Sequence, residues 1–417
     1  MNRNKLKFKI KNCFTNIYFS DFSYQNSIGS KIFEFLNDNV KKSFNRTIIF
    51  IDLNLKSFLN FNIDDLNKEK KNYNFYYLKL SEEDKNLKTI TKLYSILLEE
   101  EIDKKDLILS IGGGLFSDLI GFAATTFKRG IPFIFIPTTL LSMIDASFGG
   151  KNGVNFNDIK NLIGTINQPK AILIFPEFLN NLSKLDFLSG LGELLKYLLI
   201  DSKFYHTFLS SFDRYIKKNN LENWDKDFKY KLKYNFKNNL EDNLEDIKKI
   251  FLNYPEFLFK ALMIKYRYIK NDIFDNDKRM ILNLGHTISH GLELQFNLNH
   301  GTALLAGLFL ELKIASELFQ NTDKIFKKAN LIYKKLNLPF SLNDIIKIEK
   351  KMELKDFLIN LNINQQTIID RIIYTIHKDK KNQQNYYLLP VIFNNKKIEI
   401  KKIDFDKFDN LLKKFLI

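Results

Sequence analysis

Apolar residues in the first half of the chain fall into short β-branched and aromatic runs separated by longer stretches of helical spacing. Residues 47–52, 75–80, 107–111, 132–136 and 171–175 read as strands, most of them closed by a turn or polar break. Between them, residues 30–42, 84–100 and 115–127 repeat apolar positions at helical intervals. This alternation predicts a largely parallel sheet with helices on both faces. Near the N-terminus, Lys-Phe-Lys-Ile-Lys alternates like an edge strand. From about Leu182 the pattern is almost wholly helical, which places a boundary between Pro176 and Leu182: an α/β domain over 1–181 and a mainly helical one over 182–417. Residues 213–249, rich in Asn, Lys, Asp and Glu with Asn-Leu-Glu-Asp repeated twice, predict a low-complexity surface insert without chemistry. Residues 386–400 predict a hairpin around Asn394 and Asn395, followed by a closing helix from Asp404.

Composition narrows the class. No uncharged apolar run approaches bilayer length, so a soluble protein is expected. The single cysteine, Cys13, excludes an intramolecular disulfide framework and a cysteine metal cluster, which fits a reducing compartment. The cytoplasm is the expected location. Organelle import stands second, because the first acidic residue is Asp21. A formal charge of +16 invites a nucleic-acid partner. The lysines, however, are scattered among Asn, Ile and Phe along the whole chain rather than gathered in one basic stripe, so neither nucleic acid nor membrane is expected. Part of the charge suits an anionic small substrate.

Chemistry concentrates between Asn283 and Gly301, which hold three of the five histidines. With residues 283–295 helical, His286 and His290 stand one turn apart on one face, and His300 follows, a pattern suited to one divalent metal. Ser110-Ile-Gly-Gly-Gly-Leu-Phe-Ser-Asp118 follows a strand and opens a helix. Consecutive glycines there admit a pyrophosphate to the helix N-terminus, while Asp52 ends an earlier strand as a ribose-binding acid or a turn cap. Residues 136–155 gather Thr138, Thr139, Asp145 and Lys151 into one loop-to-helix segment suited to a cofactor and substrate wall, extended by Lys160 and Asn161. Glu193 and Lys196 lie one turn apart; alone they read as a surface ion pair, and near the histidines Glu193 becomes a possible third ligand. Lys265, Arg279, Lys380 and Lys381 are candidate anion holders.

Together these segments resemble the 3-dehydroquinate synthase family of sugar-phosphate cyclases over roughly 52–389. The matching residues are Gly112-Gly113-Gly114 with Asp118, Arg129-Gly130, Pro137-Thr138-Thr139-Leu140-Leu141, Asp145, Gly149-Gly150-Lys151, Lys160-Asn161, Gln168-Pro169-Lys170, Glu193 with Lys196, Lys265, Arg279, Asn283-Leu-Gly-His286, His290, His300-Gly301 and Asp379-Lys380-Lys381. The resemblance implies an N-terminal α/β Rossmann-like NAD-binding domain and an all-α C-terminal metal-binding domain. It assigns the zinc or cobalt to Glu193, His286 and His300, whereas helical spacing alone points to His286 and His290.

In this family NAD oxidises C5 of 3-deoxy-D-arabino-heptulosonate 7-phosphate. Phosphate is then eliminated, the ketone is reduced again, and aldol closure gives 3-dehydroquinate. By resemblance Lys151, Asn161, Arg279, Lys380 and Lys381 hold the phosphate, with Arg129 supplied by a second subunit of a homodimer. Asp145, Lys196, Lys265 and Asn283 hold the carboxylate and hydroxyls, His290 acts in proton transfer, and Asp275 stands where Glu is common. Asp52, Asn54, Glu82, Lys85, Gly113, Gly114, Leu115, Asp118, Thr138, Thr139, Lys160, Phe178 and Asn181 line the NAD site. Ser81 and Ser117 replace glycines of the family pattern, and Ile273 interrupts an acidic pair. A related cyclase of hexose or sedoheptulose phosphates and a metal-dependent alcohol dehydrogenase share this machinery.

Overall fold

The computed structural model describes residues 5–10, 13–19, 28–36, 38, 43–59, 73–157, 159–219, 240–275, 277–378 and 385–416. The chain divides into two compact units, Met1–Leu182 with Ile269–Phe274, and Ser183–Tyr268 with Asp275–Ile417.

The first unit is built on strands β1 (Lys5–Ile10), β2 (Cys13–Phe19), β3 (Thr47–Asp52), β4 (Tyr73–Leu78), β5 (Leu107–Gly112), β6 (Phe133–Pro137) and β9 (Ala171–Ile174). They form one sheet in the order β1-β2-β9-β6-β5-β3-β4. Only β1 and β2 pair antiparallel; the other neighbours are parallel. Every residue of β5 is buried, as expected of a central strand covered on both faces. From β3 the chain steps outward to β4, then returns to the other side of β3 as β5. The reversal therefore lies between β3 and β5, whose carboxyl ends carry Asp52 and Gly112. Open α/β sheets bind ligands at such a switch point. The opposite ends of the same two strands are tied by Asp106, whose Oδ1 accepts the Arg46 amide at 3.1 Å and whose Oδ2 meets the Arg46 guanidinium at 2.9 Å.

Several boundaries differ from the sequence reading. The first helix is Ile28–Phe35, shorter than 30–42, and residues 39–42 lie outside the described residues. The segment expected to run from loop to helix over 136–155 instead turns once through Ser142–Ala146. It then forms a separate antiparallel hairpin of β7 (Lys151–Phe156) and β8 (Ile159–Ile166). β-branched residues at Val154, Ile159, Ile163 and Thr165 favour that pleated pairing.

The second unit is mainly helical. Its two most enclosed helices, Lys184–Ile200 and His300–Leu318, bury almost their whole circumference. One hairpin, β10 (Tyr386–Ile392) with β11 (Ile398–Asp404), interrupts the helices before the closing helix Phe405–Leu416, so this unit is not purely α. The proposed surface insert needs correcting at its far end. Residues 220–239 lie outside the described residues, but the helix Leu240–Asn253 buries Leu244, Ile247, Ile250 and Phe251. The polar repeats conceal a helical apolar stripe. No described helix is long and apolar enough to cross a membrane.

Asp106 is almost wholly buried and also accepts the Asp103 amide. Replacing it with Ala leaves those donors unpaired beside the sheet, and Asp106→Ala should lose about 2–3 kcal/mol of unfolding free energy in a denaturant titration. A loss under about 0.5 kcal/mol, the range of an ordinary surface substitution, would show that the tie contributes nothing.

Candidate active site

Three helices of the second unit converge because glycine lets two of them touch. A Cβ built on Gly192 would stand 2.2 Å from the carbonyl oxygen of Gly301, and one on Gly301 would stand 1.8 Å from that of Ser189. Any side chain at either position forces the helices apart. The contact brings Glu193, in the helix Lys184–Ile200, against His300, the first residue of its own helix. The third helix begins at His286, not at 283 as helical spacing suggested: residues 278–283 form a 3-10 turn, and Gly285, at φ +83°, reverses the backbone. No local side chain caps this helix. Glu311, buried in the His300 helix, does so from outside, accepting the amides of Gly285 at 2.8 Å and Ile288 at 3.0 Å. Glu349 plays the same part for the His300 helix, accepting the Asn299 amide at 3.1 Å and bonding Thr302.

The result is a cluster in which ligand atoms of Glu193, His286 and His300 all lie within 4.8 Å of one another. Both histidines aim Nε2 at Glu193 Oε1, each at 3.4 Å. Their other nitrogens are occupied: His286 Nδ1 meets the Leu284 carbonyl at 3.2 Å, and His300 Nδ1 meets Glu293 Oε2 at 3.2 Å. This backing fixes the rings and leaves Nε2 for a metal. Two imidazoles and a carboxylate form a donor set that suits zinc or cobalt. Glu193 and Lys196, read alone as a surface pair, are an ion pair exposed to only 1% and 2%.

The charges follow from burial and neighbours. Burial opposes ionisation of Glu193, but Lys196 and the two histidines hold it well below the usual carboxylate range. Burial pushes His286 down to about 4. Burial also acts against protonated His300, yet the Glu193 and Glu293 carboxylates outweigh it and push His300 up to about 10. Without a metal, His286 is therefore neutral and His300 cationic at pH 7.

His290, one turn beyond His286, sets its ring 5.7 Å from that of His286 and 6.5 Å from that of His300, outside the three-residue cluster. Lys265 and Arg279 are buried, and Asn283 closes the 3-10 turn before His286. Asp275 takes a left-handed conformation, φ 64°, which Asp tolerates better than most side chains. Lys380 and Lys381 lie outside the described residues.

In the first unit, Gly113 is the N-cap of the helix Gly114–Thr126 and provides no side-chain cap, so the first-turn amides, Leu115 among them, stand at the sheet's switch point ready for an anion. Thr138 donates its amide to the Gly112 carbonyl at 3.0 Å, and Thr139 bonds Ser142. Ser117, in place of a glycine, turns its hydroxyl back to the Gly113 carbonyl at 3.3 Å. Asp118 pairs with buried Lys85 at 2.6 Å. Glu82 accepts from Asn155 at 3.0 Å, and Asn155 in turn accepts the Asn161 amide at 2.9 Å, joining the adenosine-side expectation to β8. Ser81 makes a capping box with Asp84.

Asp52 caps a turn by accepting the Asn54 amide at 3.0 Å. Asp145 lies in the turn Ser142–Ala146, Lys151 and Lys160 are exposed on the hairpin, and Asn181 is exposed at the end of its 3-10 turn. The Phe178 ring is buried against Phe58 and Phe175, which leaves its backbone for a ligand. Arg129 stands beyond the far end of the 13-residue helix Gly114–Thr126, about 20 Å from the glycine turn at 1.5 Å per residue.

Sequence reasoning missed Glu293, Glu311 and Glu349. Glu293 was readable as the next position, one turn after His290, on the histidine-bearing face; the other two act across long sequence separations and leave no local signal.

Two family models match the chain: 3-dehydroquinate synthase N-terminal over residues 75–189 and 3-dehydroquinate synthase C-terminal over 224–382. A 3-dehydroquinate synthase from Pelagibacter ubique is 33% identical over 363 residues, 86% of this chain and 84% of the relative. One from Saccharolobus solfataricus is 33% identical over 343 residues, covering 81% and 83%. Among solved structures, a 2-epi-5-epi-valiolone synthase from Streptomyces hygroscopicus with NAD+ and Zn2+ bound aligns with a TM-score of 0.70 at 18% identity, covering 97% of each chain. A 2-deoxy-scyllo-inosose synthase complexed with carbaglucose-6-phosphate, NAD+ and Co2+ aligns with a TM-score of 0.69 at 17% identity, covering 98% of this chain and 99% of that one. These likenesses show a shared fold: an α/β Rossmann-like region followed by a mostly helical one.

A metal must displace the His300 proton but none from His286. Zinc affinity of the apo-protein should therefore rise about tenfold per pH unit between pH 6 and 8, measured by chelator competition. A pH-independent affinity would contradict the protonation of His300. The Glu293→Gln variant, in which His300 loses a carboxylate that holds its proton, should show a shallower rise of zinc affinity over the same pH range.

Proposed function

The chain belongs to the 3-dehydroquinate synthase family, and from that membership we propose that it is itself a 3-dehydroquinate synthase. It converts 3-deoxy-D-arabino-heptulosonate 7-phosphate to 3-dehydroquinate and phosphate, a step of the shikimate pathway, with NAD and zinc or cobalt as cofactors. The observation that carries this reading is the convergence of Glu193 with the backed Nε2 atoms of His286 and His300.

Glu193, His286 and His300 would hold the metal, which would supply Lewis-acid polarisation of substrate oxygens. NAD would supply the hydride acceptor and donor, unchanged over a turnover. The protein's own groups do the rest. The uncapped turn at Gly113, Gly114 and Leu115 receives the pyrophosphate, with Thr138 and Thr139 beside it. Asp52, Asn54, Glu82, Lys85, Asp118, Lys160, Phe178 and Asn181 complete the nucleotide side. Lys151, Asn161, Arg279, Lys380 and Lys381 hold the substrate phosphate. The distance of Arg129 from the glycine turn of its own chain favours its acting from the partner in a homodimer.

Lys265, Asn283, Asp145 and Lys196 orient the carboxylate and hydroxyls. Lys196 also keeps Glu193 ionised, so that the ligand remains a carboxylate at neutral pH. We assign the proton transfer to His290, one turn from His286 and outside the ligand cluster, with Asp275 assisting.

Metal-loaded protein given the heptulosonate phosphate and catalytic NAD should release stoichiometric phosphate without accumulating NADH, and a chelator should abolish release until zinc or cobalt is restored. NADH accumulating in step with turnover would make it a dehydrogenase instead. Faster turnover of glucose 6-phosphate or sedoheptulose 7-phosphate would make it a sister cyclase.

A further inference from the structure

The second unit contains a cavity of about 150 Å³ bordered by three lysines, Lys324, Lys328 and Lys396. They arrive from two separate elements: Lys324 and Lys328 from successive turns of the helix Asp323–Lys335, and Lys396 from the turn of the β10–β11 hairpin. Asn394 locks those elements together, accepting the Lys324 amide at 3.1 Å and donating to Asp323 Oδ1 at 2.9 Å. Ser202, the first residue of a 17-residue helix, adds a hydroxyl at that helix's positive end. Leu199 and Ile392 give the cavity an apolar side.

Lys324 and Lys396 are exposed at the mouth of the cavity, and Lys328 is half-buried. No ion pair joins any of the three lysines to a carboxylate among the described residues. Lys328 is held in place by the Leu198 carbonyl at 3.3 Å and by the face of Tyr205, 4.0 Å from the ring centre. The nearby carboxylates are committed elsewhere. Asp201 pairs with Arg267 at 2.6 Å and accepts the Phe204 amide, while Asp323 meets Asn394 and Lys327. Burial lowers Lys328 to about 8 against the attraction of the Asp201 carboxylate, and Lys396 adds its repulsion. None of these residues belongs to the metal cluster or to the expected phosphate holders. Leu199 lies six residues beyond Glu193 on the same helix, about 9 Å along its axis.

We propose that this cavity is a second ligand site, binding a small oxyanion whose charged group is held by Lys324, Lys328 and Lys396 and whose compact apolar body rests on Leu199 and Ile392. A cavity of about 150 Å³ is large enough for a six-membered ring. Phosphate esters and carboxylates share the required chemistry: a delocalised anion that accepts several charge-assisted hydrogen bonds.

The test is lysine acylation read residue by residue by mass spectrometry on the full, metal-loaded chain. Inorganic phosphate and benzoate serve as separate probes, against chloride of equal ionic strength. With one probe or both, labelling of Lys324, Lys328 and Lys396 should fall together and saturably, by about tenfold at ten times the dissociation constant. The probe that protects identifies the source as phosphate or carboxylate. A Lys396→Gln variant should need about tenfold more of that probe to protect Lys328.

Labelling no different from the chloride control overturns the site. So does protection spread evenly over surface lysines, or protection of Lys328 that Lys396→Gln leaves unchanged. Because the readout is local to these three residues, it stands or falls independently of turnover at the metal cluster.

Discussion

A carboxylate buried as deeply as that of Glu193 must be paired, and the second unit is arranged to supply its partners. Lys196 lies against it from the same helix, and two imidazoles reach it from two others. Removing one partner from such a cluster strands charge in a medium that solvates it poorly. The helices can approach closely enough only because Gly192 and Gly301 leave no Cβ between them. Three further carboxylates set the orientation. Glu293 aligns the His300 ring, and Glu311 and Glu349 cap the histidine helices from outside. The site is thus the product of helix packing rather than of a mobile loop, which is what holds a metal ligand set in register.

The first unit solves a different problem, presenting a helix start bare of side-chain caps at the carboxyl edge of a parallel sheet. Strand order decides where that edge opens. The reversal between β3 and β5 leaves the turn after Gly112 uncovered, and tight packing at the opposite end, through Asp106 and Arg46, fixes the two strands relative to each other. Around the turn, Lys85 with Asp118 and Glu82 with Asn155 tie the preceding loop to the helix Gly114–Thr126 and to the β7–β8 hairpin.

Legibility in the sequence depended on how local each determinant is. The buried parallel strands β3, β5, β6 and β9 were readable as short apolar runs, and Thr47–Asp52 agrees to the residue. By contrast, β4 begins two residues before the expected 75, and β2, Cys13–Phe19, was missed because Thr15 and Asn16 break its apolar run. The hairpin 151–166 was not, since glycine, lysine and asparagine mask the strand propensity of its valine and isoleucines. Likewise, Leu244 was hidden within polar repeats that look like solvent-facing filler, and Ile247 and Phe251 just beyond them continue the same buried stripe. At the site, periodicity located the histidines but paired His286 with His290, whereas the imidazoles that both reach Glu193 are His286 and His300. Helical spacing says that His286 and His290 are neighbours, not which imidazole faces Glu193, 93 residues or more away in sequence. Family resemblance supplied the trio that the packing brings together. Neither route disclosed Glu311 or Glu349, whose roles exist only in the folded chain.

The central claim is that one divalent metal is held by Glu193, His286 and His300, with His290 left free of it. Visible absorption of the cobalt-substituted protein tests it directly, because the ligand-field bands report the atoms bound. The wild-type chain should bind one cobalt tightly, His290→Ala should keep both stoichiometry and bands, and His286→Ala should lose them. Bands that survive in His286→Ala, or that vanish in His290→Ala, would contradict this division of labour.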